Sequence, residues 1–190
     1  MTCRILGILA LLLALWPASA PADITLVADG RPRAVIIVTK DAVTANPDPK
    51  EVWSIQPRAS KIAAAARDLQ RYVEKMSGAR LPIQGDDAPV PAGPKVLVGL
   101  SALTEPYEAK IPRGETNLRE EEGYAILCEG DTLVLAGNEA PPYHGTEYAV
   151  AFLLHRLGVR WYMPGEYGEV VPARPTITVP TLTEIGRPDF

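Results

Sequence analysis

The sequence predicts an α+β domain in which two helices pack on one face of a mainly antiparallel or mixed β-sheet. Three observations carry that expectation. From about Arg58 to Met76, Ile62, Ala65, Ala66, Leu69, Tyr72, Val73 and Met76 recur at helical spacing, with Lys61, Arg67, Asp68, Arg71, Glu74 and Lys75 on the remaining surface. From Tyr148 to Leu154 the chain is apolar without a break, which suits a helix buried nearly all round. Short apolar runs bounded by Gly, Pro and Asp surround these helices in the order β-β-α-β-β-β-α-β-β, a pattern that sets helices against one side of a sheet.

Taken in order, Ile24–Val27 and Ala34–Val38 read as strands around an Asp29-Gly30 hairpin signal. Asp41 to Pro57, with Asn46-Pro47-Asp48-Pro49, reads as an irregular surface loop. The first long helix follows and is closed by Gly78. Leu81-Pro82-Ile83 is an edge segment, because its proline cannot donate to a ladder. Lys95–Gly99 is a compact strand, Ser101 caps a short helical turn through Leu103, and Pro106 to Asn117 is polar and irregular. Gly123–Cys128 and Thr132–Ala136 form a second hairpin around Gly130-Asp131. The second helix ends at Gly158 and feeds a short strand, Val159–Tyr162, stopped by Pro164-Gly165. Gly168–Val171 and Thr176–Val179 are the last strands, and the domain closes near Pro180 to Leu182, leaving 183–190 as the start of a linker to a downstream domain.

The front of the chain is expected to be removed. A basic start through Arg4, an apolar run from Ile5 to Trp16 and small residues before Ala22 make a secretory signal peptide of residues 1–22, cleaved before Asp23. The run is short for a stable membrane anchor, although an uncleaved anchor is the alternative reading. The protein is thus expected to be secreted or periplasmic. Loss of Cys3 with the leader leaves Cys128 without a partner for an intrachain disulfide, and its apolar neighbours make it a buried strand thiol. Roughly 170 residues remain, enough for one domain with a real core. A hydrophobic share of 47% and a charged share of 22% are ordinary for a globular protein. A net charge of -4 with no basic stripe argues against nucleic acid as a partner. Two histidines and one remaining cysteine exclude a Cys-based zinc site, and no cofactor or metal motif is present.

Candidate site residues gather after the second helix. Trp161 and Tyr162, with Trp53, are the aromatic side chains suited to stacking on a sugar or packing against another domain. Glu166 and Glu169 lie in one Pro-Gly-Glu loop, although solvated acids are the simpler reading than an acid/base pair. Glu120-Glu121-Glu122 reads as a solvated charge run, since sequence neighbours do not face each other across a substrate. His144 stands at the start of the second helix, where an anion site is conceivable and a capping or surface role simpler. His155 reads as a satisfied, partly buried histidine on that helix. No catalytic set is visible.

Several segments come in an order that resembles a known family. They are AAAARDLQRYVEKMSGARLPI (Ala63–Ile83), KVLVGLS (Lys95–Ser101), EEGYAI (Glu121–Ile126), LVLAGN (Leu133–Asn138) and HGTEYAVAFLLHRLGVRWYMPGEYGEVVP (His144–Pro172). The chain resembles the N-terminal domain of alpha-glucuronidases and the related domain before the barrel of beta-N-acetylhexosaminidases. It looks closest to the version in large secreted bacterial proteins of the same build. The resemblance covers Ile24 to about Leu182 and departs at Asn138–Tyr143, where relatives often have a shorter turn. It implies an α+β sandwich without catalytic residues, joined to a (β/α)-barrel that carries the acid and base. Its expected partners are therefore that barrel in the same polypeptide and a polysaccharide or oligosaccharide. A carbohydrate-binding module in its own right, and a structural or interaction module of a protein without hydrolase activity, are the competing readings.

Overall fold

The computed structural model describes residues 23–47, 56–112 and 122–187. The expected signal peptide, Trp53, the first two residues of the Glu120–Glu122 run and the last residues of the expected linker lie outside the described residues.

The architecture is α+β, and of the two sheet types expected it is the mixed one. Strands β1 (Ile24–Ala28) and β2 (Arg31–Pro32) make a small antiparallel hairpin, and β10 (Ile177–Val179) pairs with the other edge of β1. The Asp29-Gly30 turn forms as expected, both residues at positive φ. Its partner strand is shorter than expected, because β3 (Val35–Val38) leaves for the larger sheet. That sheet also holds β4 (Ile83–Gly85), β5 (Lys95–Val98), β6 (Tyr124–Glu129), β7 (Thr132–Gly137) and β11 (Leu182–Gly186), in the order β11-β6-β7-β5-β3-β4. Pairs β4–β3, β3–β5 and β5–β7 are parallel; β7–β6 and β6–β11 are antiparallel. A third, two-stranded ribbon joins β8 (Arg160–Trp161) to β9 (Glu169–Val170).

Alternation along the strands of the large sheet feeds two cores. Ile36, Val38, Val96, Val98, Ile126 and Leu135 face the main core, shared with α2 (Arg58–Ser77) and α3 (Gly145–Arg156). Val35, Ile37, Leu97, Ala125, Leu127 and Val134 face the other way, where Leu103, Tyr107 and Ile111 pack over them. Burial on both faces explains why these strands read as unbroken apolar runs. Cys128 is buried in β6, donating its thiol proton to the Val179 carbonyl at 3.7 Å; burial pushes its pKa up.

Several expectations need correction. Lys40–Thr44 is a short helix, α1, rather than irregular loop, because Ala42 is buried there. The turn after Ser101 runs on as a 3-10 helix, Ala102–Lys110, tied at its start by the Thr104 hydroxyl, which accepts from Ser101 N–H and donates to Ser101 O. Residues 183–186 are strand rather than linker, since β11 pairs with β6 from Leu182 to Gly186. Lys61, assigned to the wet surface of α2, is buried. His155, expected partly buried, is exposed.

Candidate functional site

Helices α2 and α3 lie side by side on the main core, and small residues at Ala65 and Ala151 hold a groove of about 350 Å³ open between them. Val150 and Leu154 are buried in it, while Asp68 and Arg71 are exposed and Glu147 half-buried. Trp161 completes the groove beyond the end of α3.

Local sequence explains how the indole gets there. Leu157 caps α3 and Gly158 takes φ 97°, turning the chain back as a residue just past a helix end does. Arg160 donates through Nη1 to the carbonyls of His155 (2.6 Å) and Val159 (2.8 Å), satisfying groups at that end. Trp161 then pairs with Glu169 across the β8–β9 ribbon. The loop between them is closed by Tyr162 N–H donating to Gly168 O (2.9 Å). Gly168 is required there: a Cβ would lie 2.0 Å from the Met163 carbonyl oxygen.

A chain of hydrogen bonds fixes the indole. Trp161 Nε1–H donates to Tyr72 Oη (2.6 Å), Tyr72 Oη donates to Glu169 Oε1 (2.7 Å), and Lys75 Nζ donates to Glu169 Oε2 (2.5 Å). The Tyr72 and Trp161 rings meet edge to face at 5.3 Å. Arg71 sits 4.8 Å from the Tyr72 ring centre and bonds Asp68 Oδ1 at 2.9 Å. The bonds from Lys75 and then Tyr72 hold the Glu169 carboxyl below the usual carboxylate range, whereas burial pushes the Tyr72 phenol up. Glu169 is thus a fixed anion, suited to positioning and unsuited to giving up a proton near neutral pH.

The structure brings Trp161 and Glu169 together and separates the other expected site residues from them. Tyr162 is 75% exposed, Met163 is 59% exposed and Tyr167 is fully exposed, with Glu166 exposed beside it. His144 precedes α3, but its ring is buried and makes no capping bond; it pairs through Nδ1 with Glu147, one turn along the helix. His144 is therefore a buried residue rather than a surface one, and its ring meets the Glu147 carboxylate. Among the described residues no cluster of three or more His, Cys, Asp or Glu could hold a metal.

Sequence reasoning missed the α2 half of the site: Asp68, Arg71, Tyr72 and Lys75. Their helical spacing was visible, yet nothing local announces that Tyr72 meets a tryptophan 89 positions later. It also missed the buried clasp before α3. Glu139 accepts from Leu100 N–H (2.8 Å), Thr146 Oγ1 (2.6 Å) and Arg58 Nε, while Lys61 Nζ donates to Glu139 O (2.9 Å) and Tyr143 O (2.6 Å). Burial lowers the Lys61 pKa, opposed by the charges of Glu147 and Glu139.

No family model matches the chain, and no curated protein matches it in sequence. Solved structures do match in shape. One is a family GH115 4-O-methyl-alpha-glucuronidase with specificity for decorated arabinogalactans, at a TM-score of 0.51 and 17% identity over 86% of this chain. The chain covers 18% of that enzyme's own chain. It therefore shares its α+β fold with one portion of a much longer glycoside hydrolase.

Proposed function

We propose that this chain is the non-catalytic N-terminal domain of a secreted or periplasmic carbohydrate-active protein, exported by a signal peptide cleaved near Ala22 and supporting a glycoside hydrolase barrel in the same polypeptide. The observation that carries this reading is the loop after β8. Tyr162, Met163 and Tyr167 stand out from the surface on a ribbon anchored to α2 through Trp161 and Glu169. Large exposed apolar side chains on an anchored loop suit a surface that another domain covers. The fold shared with a portion of a glycoside hydrolase supports it, and so does the state of the acids. Glu169 is committed to Lys75 and Tyr72, which hold its carboxyl below the usual range and leave it a poor proton donor near neutral pH, and Glu139 is buried beneath donors from Arg58, Leu100 and Thr146.

The test is to express the product of the full reading frame and assay it on glucuronosyl and hexosaminyl substrates. The expected result is sugar release, by a barrel whose paired acids lie about 5 to 9.5 Å apart. Tyr162→Ser combined with Tyr167→Ser should loosen the domain from the barrel, seen as faster proteolysis between them. A reading frame without a barrel would overturn the proposal. A stand-alone carbohydrate-binding or interaction module is the second reading, favoured by the partly exposed Trp161 at the groove.

A further inference from the structure

We infer that the groove between α2 and α3 is a binding site for a neutral oligosaccharide, with Trp161 as its aromatic wall. Three features converge on that ligand chemistry. First, Trp161 is 40% exposed, yet its indole N–H is bonded to Tyr72, which is itself held by Glu169 and Lys75. Besides anchoring the ribbon to α2, these bonds pre-set an aromatic surface, which lowers the entropy lost when a ligand stacks on it. Second, apolar side chains lie deep in the groove and polar ones at its rim. Val150 and Leu154 with the two alanines meet C–H surface, while Asp68, Arg71 and Glu147 offer acceptors and donors to hydroxyl groups. A pyranose carries both kinds of surface, and a volume of 350 Å³ lies in the range of small-molecule clefts. Third, the rim carries two carboxylates, Asp68 and Glu147, against one guanidinium, Arg71, which already bonds Asp68. Such a rim hydrogen-bonds a polyol without demanding a charged ligand, and its two carboxylates disfavour an anionic one.

The site stands apart from the surface proposed for the barrel, because Tyr162, Met163 and Tyr167 do not line the groove. The two ideas therefore fail independently. The test is a titration of the full chain with cellohexaose, xylohexaose and mannohexaose, and with an oligogalacturonate for comparison, followed by the Trp161 indole N–H resonance and by calorimetry. A saturable shift with a Kd on the order of 1 mM or tighter is expected for at least one of them. Asp68→Asn, which keeps size and fold, should weaken binding by about tenfold, and Ala151→Phe should abolish it by filling the groove. Tyr162→Ser combined with Tyr167→Ser should leave it unchanged, even though the same pair of changes loosens the barrel. Absence of any shift, binding indifferent to Ala151→Phe, or binding confined to uronic acid oligosaccharides would each overturn the inference.

Discussion

Glu139 shows how one side chain joins parts of the chain that are far apart in sequence. Its carboxylate is 4% exposed and receives donors from α2, from the segment after β5 and from the first turn of α3. A buried carboxylate in such a place is stable only because every partner is present, and removing it strands donors away from water. Glu139→Ala should therefore lower the unfolding free energy by about 3 kcal/mol, read from urea midpoints at unchanged slope. Lys61 belongs to the same clasp from the other side, tying its ammonium to two carbonyls of the loop that enters α3. Together they fix the start of α3, the helix whose Glu147, Val150, Ala151 and Leu154 line the groove.

At the scale of elements, α3 owes its place to a three-way backbone approach. A Cβ on Gly145 would fall 2.3 Å from Gly123 O and 2.4 Å from Asn138 N, both backbone atoms that cannot swing aside. The first turn of the helix thus lies directly against the ends of β6 and β7. Gly145→Ala should push α3 off the sheet and cost about 3 kcal/mol, the upper part of the range for overpacking. Gly130→Ala makes the comparison. That turn glycine has positive φ, but a Cβ there would meet nothing within 4 Å, so only backbone strain of about 1 kcal/mol is expected. Thermal melts of the two variants would show the difference directly.

For the whole molecule, acid stability should report on the link between the β8–β9 ribbon and the helices. The folded Glu169 carboxyl lies below its ordinary value of 4.5, mainly through Lys75. A carboxylate with a depressed folded pKa contributes stability that is fully present above 4.5 and is lost as pH falls through the folded value. Glu169→Gln should thus be less stable than the parent at about pH 6, and the gap should close towards about pH 2. Urea midpoints measured across that range check it; a gap independent of pH would mean that the charge of Glu169 contributes nothing.

The sequence by itself determined what depends on near neighbours. Helix α2 ends where Gly78 reaches φ 74°, and α3 has no exposed residue before His155, as its apolar run requires. The Gly130 hairpin and the buried thiol of Cys128 were equally legible, because turn chemistry and strand alternation act over a few residues. Only the tertiary structure decided what depends on chain segments meeting. It sent β3 away from β1 into parallel pairing, folded 139–143 over Lys61, and recruited Leu182–Gly186 into the sheet. It also set Tyr72 between Trp161 and Glu169, so that residues read as helix face and loop acids became one site. Spacing along a chain encodes which side of an element is apolar; which other element covers that side is settled by packing across the whole domain.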